Sequence, residues 1–373
     1  MRVFIKPLST KINWEGVTME VTNRIESRNE YLSFEAMVGA RKLIEEIMCV
    51  KPGEDVLITT DTSSDMRVAD LLGGAALAAG AHPVIVRYET RWASAIEPPA
   101  PVAGAALGAD VWIELQFGYI MHSNAFRAAM ERGTRYTCLT GLDVQMLVDT
   151  VAKVDFAGVR ELGDKLVELL SAGEEIRITS SQGMDITGRT GDRPIKVRGI
   201  PADKPGMSVM LPGQISWNPL EETQNGVIVF DGALWPPDEN GLLTNKIALT
   251  VENGLVIDVQ GEGRDAQIYR NWLAAQDDPN MYRVAHWSLG FNPGVTRSTG
   301  RIVEDERVFG CVEFGIGTKG EWIGGEPWVA PAHSDGSAVS PSIFVDNIAI
   351  EQDGRYVHHD LLAICRRLGI NGY

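Results

Sequence analysis

Between residues 35 and 165, short apolar strands alternate with helices, and this alternation leaves few folds open. Residues 33–50 have helical periodicity, with Met37, Ala40, Leu43, Ile44 and Ile47 on one face. Ser33 followed by Glu35 suits the first turn of that helix. After the turn Lys51-Pro52-Gly53-Glu54, residues 55–61 read as an apolar strand. A helix rich in small residues follows at 66–79, then strands at 83–88 and 109–117, a helix at 123–132 and a strand at 135–139. Alternation of this kind predicts a mainly parallel, doubly wound sheet with helices on both faces, an α/β domain over residues 1–168. That sheet carries no phosphate-binding glycine motif. Gly73-Gly74 lies inside a helix pattern, where close helix packing explains it.

The pattern changes after the amphipathic stretch 159–171. Residues 175–179 and 184–188 read as paired strands. Residues 247–252 and 255–260 flank Asn253-Gly254, the dipeptide that supplies both positive-φ positions of a type I′ turn. Asp353-Gly354 repeats the signal between 347–352 and 355–357, and residues 264–275 read as a helix. The expectation for 169–373 is a mixed α+β domain with antiparallel strands, joined to the first by a hinge near 165–175. Residues 1–30 are polar and mixed, and suit either a lead-in strand or an arm onto a neighbouring subunit.

Composition narrows the partners. With 44% apolar and 23% charged residues, the chain reads as a soluble globular protein. A net charge of −16 argues against nucleic acid and against an anionic membrane surface. No stretch approaches ~20 uninterrupted apolar residues, and the first residues lack a signal-peptide layout. Cys49, Cys138, Cys311 and Cys365 are scattered with no CxxC, as expected of buried thiols in a reducing cytoplasm.

Chemistry concentrates in the second half. In Trp328-Val329-Ala330-Pro331-Ala332-His333-Ser334-Asp335, an extended backbone would send His333 and Asp335 to the same side. A second histidine, His286, lies in Ala285-His286-Trp287-Ser288-Leu289-Gly290. Two histidines and one carboxylate are the donor set of a mononuclear non-haem Fe(II) site with open positions. Both histidines stand in Gly- and Pro-rich surroundings, which suggests that loops hold them. His122 follows the strand 109–117 directly, where doubly wound sheets place ligands, and suits either a base facing the site or a helix-capping residue. His82 reads as a turn residue. His358 and His359 are adjacent, so at most one of them points inward from a strand. Trp217, Trp287, Phe291 and Trp328 read either as an apolar pocket lining or as ordinary core.

Four stretches occur in a telling order: Leu211-Pro212-Gly213-Gln214-Ile215-Ser216-Trp217-Asn218-Pro219, Gly226-Val227-Ile228-Val229-Phe230-Asp231-Gly232, Leu289-Gly290-Phe291-Asn292-Pro293-Gly294 and His333-Ser334-Asp335-Gly336. In that order they resemble the aminopeptidase T family of metallopeptidases over essentially the whole chain. The departures matter. Gln214 stands where the peptidases have a ligating glutamate, and His286 stands where they have a second one. The altered pattern resembles the 2,5-dihydroxypyridine 5,6-dioxygenases, iron enzymes of pyridine breakdown on the same scaffold. That resemblance implies Fe(II) held by His286, His333 and Asp335, with His122 as acid/base residue. It further implies a homo-oligomer, and a hydroxypyridine substrate opened with O₂ to N-formylmaleamate. Glu313 falls where the peptidases place another ligand, and suits either a carboxylate orienting an imidazole or a buried paired carboxylate. The alternative is a two-metal aminopeptidase, which would need the carboxylates that Gln214 and His286 replace.

Overall fold

In the computed structural model, which describes residues 10–14, 17–21, 31–91 and 96–373, the strand–helix alternation builds a five-stranded sheet. Its order is Ser208–Val209, Arg135–Cys138, Val111–Glu114, Asp55–Asp61, His82–Tyr88, and every pairing is parallel. Side-chain alternation sorts the two faces. Val56, Ile58, Val111 and Ile113 meet the helices Ser33–Lys42 and Met66–Ala78, whereas Leu57 and Trp112 meet Ala106 and Ala129 on the other side. The helices Ala100–Gly108 and Asn124–Arg132 cover that second face. The first of these is missing from the sequence reading. The run Pro98-Pro99-Ala100-Pro101 hides it, although proline in a first turn has no N–H to lose.

The first helix begins where the sequence places it: Ser33 and Glu35 stand in its first turn, after Leu32 at the cap position. The helix ends in a π-turn, Leu43–Ile47. Within the first thirty residues, Thr10–Trp14 and Val17–Val21 pair as an antiparallel hairpin; the rest of the proposed arm lies outside the described residues.

The second half is antiparallel. An eight-stranded sheet contains both predicted hairpins, with Asn253 and Gly254 at φ 51° and 75° and Asp353 and Gly354 at 48° and 74°. A seven-stranded sheet has at its centre Trp328–Val339, Cys311–Lys319, Val284–Gly290 and Gln214–Trp217. The two sheets share one core, in which Ile176, Ile186 and Ile228 meet Trp287, Phe314 and Ile316. The helix Phe156–Ser171 closes this core through Val159, Leu162, Leu166 and Leu170.

Residue 168 therefore lies inside a helix that packs with the second half. Conversely, Ala202, Val209 and Leu211 return to the core of the first, where Ser208–Val209 adds its edge strand. This crossing back presses the carboxyl ends of the parallel strands against the seven-stranded sheet. Among the described residues no helix is long and apolar enough to cross a membrane, and all four cysteines are free thiols.

A buried carboxyl marks that junction. Glu114 ends its strand fully buried, accepting from the Ile120 N–H at 2.7 Å and from the Tyr136 hydroxyl. Burial pushes its pKa up to about 8 from 4.5, against those two hydrogen bonds. The folded state thus holds this proton more tightly than the unfolded chain. The associated stability is complete below about pH 4.5 and is lost as the pH rises through about 8. Glu114→Gln is expected to flatten the fall in melting temperature between about pH 5 and about pH 8. Thermal melts across that range check this, and an unchanged slope would refute the assignment.

Candidate metal centre

Three neighbouring strands build the site, and their register explains it. His286 on Val284–Gly290 lies opposite Gly315 on Cys311–Lys319, and Gly315 lies opposite Asp335 on Trp328–Val339. Strands two apart are separated by roughly 9–10 Å. Because the strand between them offers no side chain at this point, groups from both sides lean over it and meet. The register also slips at Val284/His286 and at Gly317/Lys319, bulges of the kind that re-aim side chains beside functional sites. His333 and Asp335 reach the same cluster from one strand, as the i, i+2 spacing requires. His286 and His333 are therefore strand residues. The loop placement expected from their Gly- and Pro-rich flanks is corrected: Gly290 and Gly336 lie within the strands themselves, and Gly324 and Gly325 turn the chain at positive φ just before Trp328–Val339 begins.

Nε2 of His333 lies 2.9 Å from Asp335 Oδ1, and Nε2 of His286 lies 3.5 Å from the same oxygen. The two imidazoles stack at 5.1 Å with 17° between their planes. One donor atom from each of His286, His333 and Asp335 lies within 4.8 Å of the other two, a grouping that can hold one metal ion. Nδ1 of His333 faces the Thr318 carbonyl oxygen at 2.7 Å, which leaves Nε2 toward the cluster.

Glu313 is fully buried, with both oxygens near His286 Nε2, at 3.0 and 3.1 Å. It is a partner of that imidazole. Gln214 donates through Nε2 to Glu306 at 2.9 Å and to Glu313 at 3.4 Å. A glutamate at 214 would set a third carboxylate against those two, a repulsion that only further cations could offset.

The electrostatics separate the two histidines. Burial pulls His286 down to about 4, against the attraction of Asp335. Burial also opposes a charge on His333, but the Asp335 carboxylate, Glu313 and the Thr318 carbonyl outweigh it and push its pKa up to about 9. Asp335 is held near 2: its burial penalty is overcome chiefly by His333. Asp335 thus stays ionised beside the two imidazoles, and a cation entering here would take the place of the His333 proton.

A cavity of ≈ 210 Å³ opens onto the trio. That is below the ~300–1,000 Å³ of drug-sized pockets and suits a single ring. Tyr119, Met121 and His122 wall it from the loop after Val111–Glu114, and Cys138 and Thr140 from the end of Arg135–Cys138. Ile302, Val303 and Trp235 supply apolar surface, and Arg198 and Glu306 charged groups. His122 thus stands in the same cavity as the trio, on a left-handed backbone (φ 74°) with its carbonyl held by Arg127 at 2.6 Å.

The aromatic lining differs from the first of the two readings. Trp217, Trp287 and Phe291 are core, and Trp328 donates to the Gly317 carbonyl at 2.7 Å. Among the described residues, the other histidines lie outside the cluster: His82 begins an exposed edge strand, His358 caps the helix His359–Arg367, and His359 pairs with Asp360. Sequence reasoning missed Gly315, Arg198 and Trp235. The alternating glycines 315 and 317 inside a strand were the available signal for the first.

The family profile of the 2,5-dihydroxypyridine 5,6-dioxygenases, NicX, matches residues 42–358. The chain belongs to this dioxygenase family. It is 26% identical over 200 residues to the curated 2,5-dihydroxypyridine 5,6-dioxygenase of Pseudomonas putida KT2440, a match covering 51% of this chain and about half (56%) of that enzyme. In fold it resembles the solved 2,5-dihydroxypyridine dioxygenase of the same organism, with a TM-score of 0.71 at 18% identity, covering 90% of this chain and 99% of that one. AmpT from Thermus thermophilus is a further fold relative, with a TM-score of 0.61 at 13% identity, covering 87% of this chain and 99% of that one. The dioxygenase family and its peptidase-like scaffold, both read from the motif order, are borne out.

Proposed function

We propose that the chain is a mononuclear Fe(II) dioxygenase that opens a hydroxylated pyridine, such as 2,5-dihydroxypyridine, with O₂. The observation that carries this is the convergence of His286, His333 and Asp335 at the floor of a ring-sized cavity, in a chain of this family. The donor set fits one ferrous ion, because two imidazole nitrogens, that of His333 once a cation displaces its proton, and one carboxylate on one side leave positions for other ligands. When bound, that ion would let an electron-rich ring pass electrons to O₂. Gln214, an amide where a second cation would need a carboxylate, favours one ion over the two of a peptidase.

The chain's own residues do the rest. Tyr119, Trp235, Ile302 and Val303 hold the ring and limit water. His122 takes a proton from a ring hydroxyl, which makes the ring a better electron donor. Burial, helped by the charges of Arg127 and Arg198, lowers the His122 pKa, so its imidazole is neutral and able to accept that proton at neutral pH.

Two measurements test the reading. Anaerobically prepared, Fe(II)-loaded protein is expected to consume O₂ when 2,5-dihydroxypyridine is added, with about one iron per subunit. Two metals per subunit and hydrolysis of a leucine amide without O₂ would return the chain to peptidase chemistry. His122→Asn is expected to keep its iron and to lose ~10²–10⁴-fold in kcat. Loss of iron with the rate would show that His122 acts on the metal rather than on the proton.

A further inference from the structure

The cavity contains a cation that the proposed chemistry does not use. Arg198 lines it, half-buried at the cavity wall. Its position is built. The strand Lys196–Val197 pairs with Ile215 and Ser216, and the Arg198 N–H donates to the Gln214 carbonyl at 2.7 Å, tying the residue to the site's own strand. The chain then turns at Gly199 with φ 71°, where a Cβ would stand 2.3 Å from Pro212 Cα. Only glycine fits that turn, so the backbone delivers the arginine in one direction.

The charge is retained. Burial pulls the guanidinium down only to about 10, with Glu306 opposing the fall, so it is cationic at neutral pH. It lines the same cavity as the proposed base His122 and the metal trio.

We infer that Arg198 is a specificity residue that receives a carboxylate on the substrate ring, so that the preferred substrate is a hydroxylated pyridine carrying a ring carboxylate. This rests on the ring-cleaving reading above. A guanidinium presents a planar fork that matches a carboxylate with two parallel hydrogen bonds, whereas a ring oxyanion offers it one oxygen. The cavity thus has a metal-facing end for the hydroxyl that must be activated and a guanidinium for the substituent that orients the ring.

The test compares O₂ uptake by Fe(II)-loaded wild type, Arg198→Met and Arg198→Lys on 2,5-dihydroxypyridine and on its ring-carboxylated analogues. Wild type is expected to favour one carboxylated ring by ~10-fold or more in kcat/KM, chiefly through KM. Arg198→Met should erase that ratio, and Arg198→Lys should keep part of it. Calorimetric titration with pyridine-3-carboxylate under anaerobic conditions gives a readout independent of turnover, with Kd expected to rise ~10–100-fold in Arg198→Met. Uptake on 2,5-dihydroxypyridine with no gain from the carboxylate, and equal losses on both rings in Arg198→Met, would overturn the inference and leave the ring-cleaving function standing. No uptake on any ring would sink the function instead; pyridine-3-carboxylate binding that still depends on Arg198 would then preserve the anion subsite.

Discussion

His333→Ala is expected to lose its iron and its turnover together. The residue supplies one of three converging donors among the described residues, and its Nε2 is aimed at the cluster by the bond between Nδ1 and the Thr318 carbonyl. Removing a group that merely orients a ligand costs ~10–100-fold in metal affinity, so removing the ligand itself should cost more than ~100-fold. It would also strip Asp335 of the neighbour that does most to hold its carboxyl down near 2. Metal analysis of the anaerobically loaded variant, beside O₂ uptake with 2,5-dihydroxypyridine, reads both effects. Circular dichroism should show the fold intact, since the side chain is only half-buried at the cavity wall. Stoichiometric iron in folded His333→Ala would disprove the ligand assignment. His82→Ala, on an exposed edge strand, serves as the silent control.

Gly315→Ala is expected to be nearly as damaging, although it adds one methyl group and removes no functional atom. A Cβ there would stand 2.2 Å from His286 Cε1, 2.3 Å from its Nδ1 and 2.7 Å from His333 Cε1, all inside the 3.0 Å that real contacts respect. The two imidazoles cannot both stay, because their stacked rings fill the space above this glycine. Overpacking of this kind costs ~1–3 kcal/mol in stability. The larger consequence is geometric: displacing donors by ~1 Å in a site that needs its ligands held within ~0.5 Å should cost most of the bound iron. Gly104→Ala, where nothing lies within 4 Å of the new methyl, should leave iron binding unchanged. Iron content and melting temperature of the two variants decide the matter. Full iron in Gly315→Ala would mean that the metal does not draw on both imidazoles.

Several features were legible from the chain because they rest on local physics. The parallel sheet followed from strand–helix alternation. The Asn253-Gly254 and Asp353-Gly354 hairpins followed from the positive φ that those dipeptides tolerate. The His333/Asp335 pair followed from the period-two geometry of a strand. Motif order added His286 and the dioxygenase family.

Other features were not legible. The helix Ala100–Gly108 was masked by prolines. The Gly- and Pro-rich flanks of the histidines read as loops, because turn glycines such as Gly324 and Gly325 stand just ahead of the long strand that carries His333.

Local periodicity and motif order thus carried the sheet types, the hairpins and the identity of three candidate donors. Only the tertiary structure could decide how those donors meet. His286 and Asp335 belong to strands that do not pair with each other, and their convergence depends on the register across Gly315 between them. Likewise, nothing near Arg198 in the chain marks it as a cavity residue. It becomes one because the segment that carries it is pinned to Gln214 as the chain crosses back to the first core. Strand register and chain crossing are set by long-range packing, and no local stretch of sequence encodes them.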